Sequence, residues 1–287
     1  MRHLAQGHPT SLTRRFVDDT ETPLACTTVT VAVFDDLGVA IPGSPFAAAA
    51  SGAGVWSAPL PSAATAGLGL RAESWTATLT AGGGTITVNG AHEVVGAYLF
   101  DAATFRAFDP DFASTTTWTP EMVRAGRDYA EELLERHCRA SFRRRRHVAR
   151  MDGTGTPDIL VPEIPTVRVA AASVAGVALT STELAELTVY EWGGVFRPDG
   201  KIWPAGDRNI MIAYEHGFDT VGEPVAEAAM ILARDALVRS PAPDRAIVET
   251  SEHGLIRNAI PGRDGPTGFP RVDAIITQFA VRRITVG

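Results

Sequence analysis

The stretch that decides the helical half of the fold is TPEMVRAGRDYAEELLERHC, residues 119–138. Thr119, Pro120 and Glu121 match a helix start, because they supply a hydroxyl cap, a proline that needs no hydrogen bond there, and an acidic first turn. Apolar and small side chains follow at helical spacing and predict one broad buried stripe, which consists of Met122, Val123, Gly126, Tyr129, Ala130, Leu133, Leu134, His137 and Cys138. The other face is charged and suited to i,i+4 ion pairs; it holds Glu131, Glu135, Arg136 and Arg139.

Three further helices are predicted around this one. A short helix over 100–108 ends at Asp109-Pro110, and a second helix begins at Pro224 and ends before Pro241. The third covers 270–279, where apolar side chains recur with a helical period. The second of these is rich in alanine, so another helix can approach it closely.

Before residue 97 the sequence has the texture of a β-domain. Four segments alternate apolar and polar side chains and are separated by turn formers such as Ala81–Gly84. The predicted strands cover 28–34, 54–60, 74–80 and 85–88. Strands at this spacing without helices predict an immunoglobulin-like β-sandwich over residues 1–97. Its predicted core consists of Val31, Val33, Trp56, Trp75 and Leu79.

Strand texture returns after the long helix. The segments concerned are 142–150, 158–162, 166–174, 186–192 and 209–214. Residues 98–242 are therefore predicted to form a second domain, in which helices pack with a small antiparallel sheet. Residues 240–269 carry many turn formers and few apolar side chains, so the last segment, 243–287, is predicted to begin as an extended arm. The expected fold class is α+β.

The overall charge argues against a dedicated DNA-binding protein. The 287 residues carry a formal charge of −7 at pH 7, whereas tight binding to phosphates needs a basic face. Residues 1–16 contain arginines but no apolar stretch, so neither a secretory signal nor a membrane span is expected. Cys26 and Cys138 fall in different predicted domains, which favours two buried thiols over a disulfide.

The sequence offers no set of residues for catalysis, for a cofactor or for a bound metal. The string GLGLRA, residues 67–72, fits a GxGxxA pattern, but a strand follows it where a dinucleotide site needs a helix. His92-Glu93 lacks the second histidine of a zinc-binding helix. The acidic pairs Asp18-Asp19 and Asp35-Asp36 are expected to cap turns, with a calcium site as the alternative. A protein without enzymatic activity and without cofactors is therefore expected.

One run of charge stands out, and it consists of Arg143, Arg144, Arg145 and Arg146. Alternate side chains of a strand point to opposite sides, so one face cannot use all four. Two interpretations stay open. The run is either a solvated edge that discourages sheet aggregation, or a contact with an acidic partner or with passing DNA.

Two segments of the C-terminal half carry a family resemblance. The run NIMIAYEHGF, residues 209–218, followed by Pro224 and the alanine-rich helix, resembles the strand-turn-helix of phage head-to-tail adaptor proteins. Their pattern is V-x-Y-x-x-G-[YF] and then P-x-x-[VI]-x-x-A-A-x-x-[LA]-A. The run GPTGFPRVDAII, residues 265–276, resembles the TG-[IF]-P-x-VDA-[IV]-[IL] tail of such proteins from viruses of actinobacteria. With the helix from Thr119, the likeness covers roughly residues 94–287.

The resemblance implies a virion protein that is assembled in the host cytoplasm and works at the capsid–tail junction. Proteins of this family form rings of about twelve copies beneath the portal. The implied partners are other copies of the chain, the portal protein, a tail-side connector or tail terminator protein, and DNA that passes non-specifically through the ring; no membrane is implied. The four arginines, 143–146, would then face the lumen or a partner.

The end of the chain is the predicted portal-docking segment, through an amphipathic helix and a strand that adds to a portal sheet. The residues concerned are Val272, Ile275, Ile276, Phe279, Arg282, Arg283 and Ile284. The alternative is a terminal helix folded back onto its own domain. Two other functions also stay open: another phage tail or baseplate component, and a carbohydrate-binding adhesion module, which would need an exposed aromatic platform on the sandwich.

Overall fold

The computed structural model describes residues 1–198, 200–238 and 266–280 in full, and residues 248–251 and 254–257 as backbone. The chain belongs to the α+β class, as predicted. Its helices are, in chain order, α1 Ala102–Phe108, α2 Pro120–Cys138, α3 Ser181–Ala185, α4 Glu223–Val238 and α5 Pro270–Phe279. Its strands are β1 Arg2–Ala5, β2 Thr10–Arg15, β3 Cys26–Phe34, β4 Phe46–Gly52, β5 Val55–Leu60, β6 Gly69–Leu79, β7 Thr85–Val95, β8 Arg145–Gly153, β9 Asp158–Leu160, β10 Thr166–Val174, β11 Val177–Ala178, β12 Thr188–Val189, β13 Gly194–Phe196, β14 Gly206–His216, β15 Val248–Ser251 and β16 Gly254–Arg257.

Contacts within the chain divide it into two compact units. The first consists of Met1–Ala97 and Arg144–His216, and the second of Tyr98–Arg143 and the part that follows His216. The predicted domains 1–97, 98–242 and 243–287 stay a prediction. The contacts group the sheets formed by 144–216 with the first 97 residues. The Gly96 N–H donates to the carbonyl of Arg144 at 2.8 Å, and Glu93 forms an ion pair with Arg145.

The seven N-terminal strands form one continuous sheet with the order β1-β7-β6-β3-β4-β5-β2. β4 joins its two halves, because the start of this strand pairs with β3 and its end pairs with β5. The two edge strands are joined by only four residues. Arg14 of β2 donates a hydrogen bond to the carbonyl of Asn89 on β7 at 2.9 Å, so the sheet curls until its edges meet, as in a barrel. A separate two-sheet immunoglobulin-like sandwich is not confirmed.

The second part of the first unit holds two small sheets. One has the order β11-β10-β14-β8 and the other β12-β13-β9. Their shared core is built around the buried side chains of Ile159, Val195, Trp203, Ile212 and Tyr214. The N-terminal sheet has its own core, in which Val31, Val33 and Trp75 are fully buried as predicted.

The second unit is a helical core made by α1, α2, α4 and α5. α2 starts as predicted, because the Thr119 hydroxyl accepts a hydrogen bond from the Met122 N–H at 3.3 Å. It ends where Arg139 adopts a left-handed conformation with φ +53°. Within the predicted C-terminal arm, β15 and β16 pair as an antiparallel hairpin.

The two faces of α2 differ in part from the prediction. Met122 and Tyr129 of the predicted apolar stripe are exposed, whereas Glu131 and Glu135 of the predicted solvent face are buried. Their carboxylates bind groups that lie outside the helix, before and after it, which helical periodicity does not reveal. Cys26 and Cys138 are free thiols; Cys138 is buried and Cys26 is half-buried.

Candidate functional site

The four arginines of the run all form ion pairs, but they differ in burial. In the helical unit the side chain of Arg143 is fully buried and forms ion pairs with Glu131 and with Glu135, the latter at 3.4 Å. The same carboxylates also accept backbone hydrogen bonds, from Leu99 at 2.7 Å and from Phe142 at 3.1 Å. The cluster therefore ties the segments before and after α2 to that helix.

Burial dominates the electrostatics of this cluster. It raises the pKa of Glu131 above its ordinary value, and the charges of Arg143 and Arg127 act in the opposite direction. A buried carboxylate is tolerated only with a charged partner and hydrogen bonds. The role of Arg143 is therefore structural, and its side chain is not available to DNA or to a partner.

The next three arginines pair with carboxylates of the first unit. Arg144 Nε lies 3.0 Å from Glu215, Arg145 Nε donates to Glu93 at 2.9 Å, and Arg146 Nε lies 3.0 Å from Asp36. These partners lie on β14, on β7 and in the turn after β3. Each of these half-buried side chains already pairs with a carboxylate of its own unit. The predicted solvated edge and the predicted contact with the lumen or a partner both stay predictions for them.

The carboxylate partners were missed by the sequence analysis. Asp36 was assigned to a turn and Glu93 to a failed metal motif. Burial raises the pKa of Asp36, while Arg146 and Arg71 act to lower it. The one available signal was the i,i+4 spacing of Glu131 and Glu135, directly before a basic run that needs acidic partners.

A second buried polar cluster lies on β6 and β7. His92 Nδ1 and Trp75 Nε1 lie 2.6 Å and 2.7 Å from the two oxygens of Glu73. Burial raises the pKa of Glu73, but the hydrogen bonds from His92 and Trp75 outweigh it, so the net shift is downward. His92 therefore serves the interior of the sheet. Gly69 of the GxGxxA string begins strand β6, so a strand follows these glycines where a dinucleotide site needs a helix.

The strand-turn-helix segment is built around one glycine. Gly217 follows β14 with φ +95°, and a Cβ at this position would lie 2.1 Å from the carbonyl oxygen of Arg143. Only glycine fits this conformation and this space. The glycine of the family pattern therefore has a local structural reason in this chain.

The predicted docking helix α5 packs into its own unit. Val272 and Ile276 are buried against α2 and α4, and Ile275 is half-buried beside them. Phe279 stays partly exposed and contacts the edge of Phe142 at a centroid distance of 5.6 Å. Val272 and Ile276 are thus unavailable to a portal, and the alternative of a folded-back helix describes α5. Arg282, Arg283 and Ile284 lie outside the described residues.

The start of α5 explains the TG-F-P-x-VDA string. The Thr267 N–H and hydroxyl both donate to Asp273 Oδ1, at 2.9 and 2.7 Å, and Pro270 occupies the first turn of the helix. Gly268 has φ +77°. These residues form a compact cap, which fixes the angle at which α5 enters the core.

The adhesion alternative receives no support from the N-terminal tryptophans. Trp75 is fully buried and Trp56 is half-buried in the core of the seven-stranded sheet. Two other aromatic side chains, Tyr190 and Trp192, are exposed, and the sequence analysis had placed them at the end of a strand. Among the helices of the described residues, none is both long and apolar enough to span a bilayer.

Comparisons with known proteins give a distant structural likeness. No protein-family model matches the chain, and no curated protein matches it. Among solved structures, a chain from the neck of an empty GTA particle computed with C6 symmetry is similar with a TM-score of 0.43 and 16% identity. The match covers 66% of this chain and 93% of that one. A chain from the neck of a native GTA particle computed with C12 symmetry has a TM-score of 0.42 and 14% identity, over 61% and 91% of the two chains.

Proposed function

We propose that this chain is a structural, non-enzymatic subunit of a phage virion, which forms a ring of about twelve copies between portal and tail. DNA passes through this ring non-specifically. The subunit assembles in the host cytoplasm and resides at the capsid–tail junction. Another tail or baseplate component is the second candidate.

One observation carries the proposal. The strand of the first resembling segment, 209–216, belongs to the first unit. The glycine turn that follows it with α4, and the second segment with α5 about fifty residues further on, build the same helical core. Gly217 sets the turn into α4, and the Thr267–Asp273 cap sets the entry of α5 onto α2 and α4. The resembling residues of the turn, of α4 and of α5 are therefore residues that this unit needs for its packing, which supports the resemblance as one of fold.

The charge distribution suits a passage for DNA. A conduit must not hold its cargo, and the chain has a formal charge of −7. The arginine run is neutralised by internal carboxylates. We expect no measurable duplex binding at physiological salt, and submicromolar, strongly salt-dependent binding would contradict this part of the proposal.

The proposed contact with the portal is restricted to the end of the chain. Val272 and Ile276 are occupied by the core. Phe279 and the residues that follow α5 remain as the proposed portal-docking segment. A tail-side connector or terminator protein would bind the opposite surface of the ring.

The decisive experiment locates the chain in particles. Gene disruption in the phage that encodes it should give DNA-filled heads without tails, and complementation should restore tails. Gold-labelled antibodies should mark the head–tail junction at about twelve copies per particle. Labelling of the distal tail would favour the baseplate candidate, and tailed, infectious particles without the chain would refute both.

A further inference from the structure

An exposed aromatic cluster lies on the outer face of the β12-β13-β9 sheet. The rings of Tyr190 and Trp192 stack with centroids 5.3 Å apart and an angle of 18° between their planes. Trp192 is 58% exposed and Leu160 is 60% exposed. Leu160 pairs with Gly194 in the sheet and the Trp192 ring lies across that glycine, so Leu160 lies on the same side of the sheet as the stacked rings.

The backbone holds this aromatic cluster in a defined position. The Tyr190 N–H donates to the carbonyl of Gly194 at 2.8 Å, and the Gly193 N–H donates to the carbonyl of Tyr190 at 2.9 Å. Gly193 has φ +98°. A Cβ on Gly194 would lie 2.3 Å from Cη2 of Trp192, so only glycine leaves room for the indole ring.

The sheet does not need these side chains for its own core. Its inner face already buries Ile159 and Val195 against Trp203. Single exposed apolar residues are ordinary, but stacked aromatic rings that are exposed and held in place on one face favour an interaction site. Trp and Tyr are also the side chains most enriched at the energetic centres of protein interfaces.

The same unit presents a second apolar surface. β11 is the edge of the β11-β10-β14-β8 sheet, and Val177 on it is 72% exposed. The hairpin between β10 and β11 turns at Ala175 and Gly176, both with positive φ. Residues 173–180 carry no charged side chain. Because β11 spans only Val177–Ala178, the surface that another chain can cover here is the exposed apolar side chain of Val177 rather than a backbone edge.

We propose that the aromatic cluster of one copy binds the β10–β11 hairpin of the next copy in the ring. A closed ring uses a head-to-tail interface, so every subunit must carry two different complementary patches. This unit carries both. Asp158 and Glu191 flank the cluster and are exposed, and an uncharged hairpin meets them without like-charge repulsion. This inference rests on the proposed ring and names its subunit interface.

Cysteine cross-linking tests the pairing directly. In a Cys26→Ser background, Glu191→Cys and Ala178→Cys place thiols beside the two surfaces and leave Trp192 and Val177 intact. Oxidation of assembled rings should cross-link a mixture of the two single variants into dimers, and should link the double variant into a ladder of about twelve copies. Each single variant alone should stay uncross-linked.

Two substitutions test the energetics. Trp192→Ser should weaken subunit association about 30-fold in mass photometry. Val39→Ser, at a side chain that is 61% exposed in the same unit, is the control and should assemble normally. The full chain is measured alone and with its portal protein, so that assembly that depends on the portal is also seen.

The outcomes separate this inference from the proposed function. If Trp192→Ser forms rings normally and the mixed cysteine variants give no cross-link, the proposed interface is overturned, but the proposed ring is not. A wild-type chain that forms no ring even on the portal would overturn the proposed function and the interface with it. Glycan binding by the wild-type chain that is lost in Trp192→Ser would assign the cluster to carbohydrate and also overturn the interface.

Discussion

The C-terminal helix α5 and the outer face of the β12-β13-β9 sheet are both apolar, but only the first is covered within its own unit. Val272 and Ile276 of α5 are buried against α2 and α4, whereas Trp192 and Leu160 remain exposed. An apolar pattern shows that a face must be covered, but it does not show whether the same chain or a partner covers it. The sequence predicted that a partner protein covers α5. In the structure α5 is covered within its own unit, whereas the outer face of the β12-β13-β9 sheet is exposed.

The largest expected effect on stability concerns the covered helix, α5. Val272→Asp buries a carboxylate without a partner in the helical core and should lower the free energy of unfolding by more than about 4 kcal/mol. Urea denaturation measures the loss. Ala274→Asp puts the same residue on the exposed face of the same helix and should change stability by less than about 0.5 kcal/mol. Equal stability of the two variants would show that α5 is not part of the core.

How far the sequence predicted this fold depended on whether each signal was local. The cap at Thr119, the ends of the helices and the strand 166–174 were predicted closely, because each depends on neighbouring residues. Strand β4 was missed because four consecutive alanines, 47–50, do not alternate and favour a strand only through pairing with β3 and β5.

The candidate site depended on contacts that span many residues. The partners of the arginine run lie on α2, β7, β14 and in the turn after β3, so no spacing rule connects them. Glu131 was assigned to solvent because a charged residue is usually exposed. Trp192 was predicted to end a strand. Its exposed position was not predicted, because it depends on Gly194, whose missing side chain leaves room for the ring.

A second prediction tests whether Arg143 is structural. Arg143→Met leaves two buried carboxylates without their main counter-charge and should lower stability by about 3–5 kcal/mol at pH 7. The loss should shrink as the pH falls, because burial raises the pKa of Glu131 and a protonated carboxyl needs no counter-charge. Adding Glu131→Gln and Glu135→Gln should restore most of the stability. An Arg143→Met protein with wild-type stability and lost assembly would instead favour a partner-binding role.

A third, smaller effect concerns pH. Burial lowers the pKa of His216 from 6.5 to about 4, with Arg145 and His147 lowering it and Glu163 and Glu93 raising it. As the pH falls, the unfolded chain therefore binds the proton before the folded chain does. The contribution of neutral His216 to the free energy of unfolding is complete above pH 6.5 and is lost as the pH falls towards 4. Between pH 7.5 and pH 5 it amounts to about 2 kcal/mol.

His216→Gln should remove this part of the pH dependence. The measurement is the free energy of unfolding at both pH values for the wild type, for His216→Gln and for His8→Gln. His8 is exposed, so its variant should follow the wild type. If the wild type and His216→Gln lose the same stability between the two pH values, His216 is not held neutral in the folded chain.

The smallest expected effect on stability concerns the exposed outer face of the β12-β13-β9 sheet. Trp192→Ser removes a side chain that is 58% exposed, stacks on Tyr190 and lies across Gly194, so the unfolding free energy should fall by less than about 1 kcal/mol. The same variant should assemble poorly, because the indole is proposed to be buried only between copies. Val272→Asp should lose stability and assembly together, whereas Trp192→Ser should lose assembly alone. A fall in melting temperature comparable to that of Val272→Asp would mean that the aromatic cluster holds its own sheet together, and that its exposure does not mark an interface.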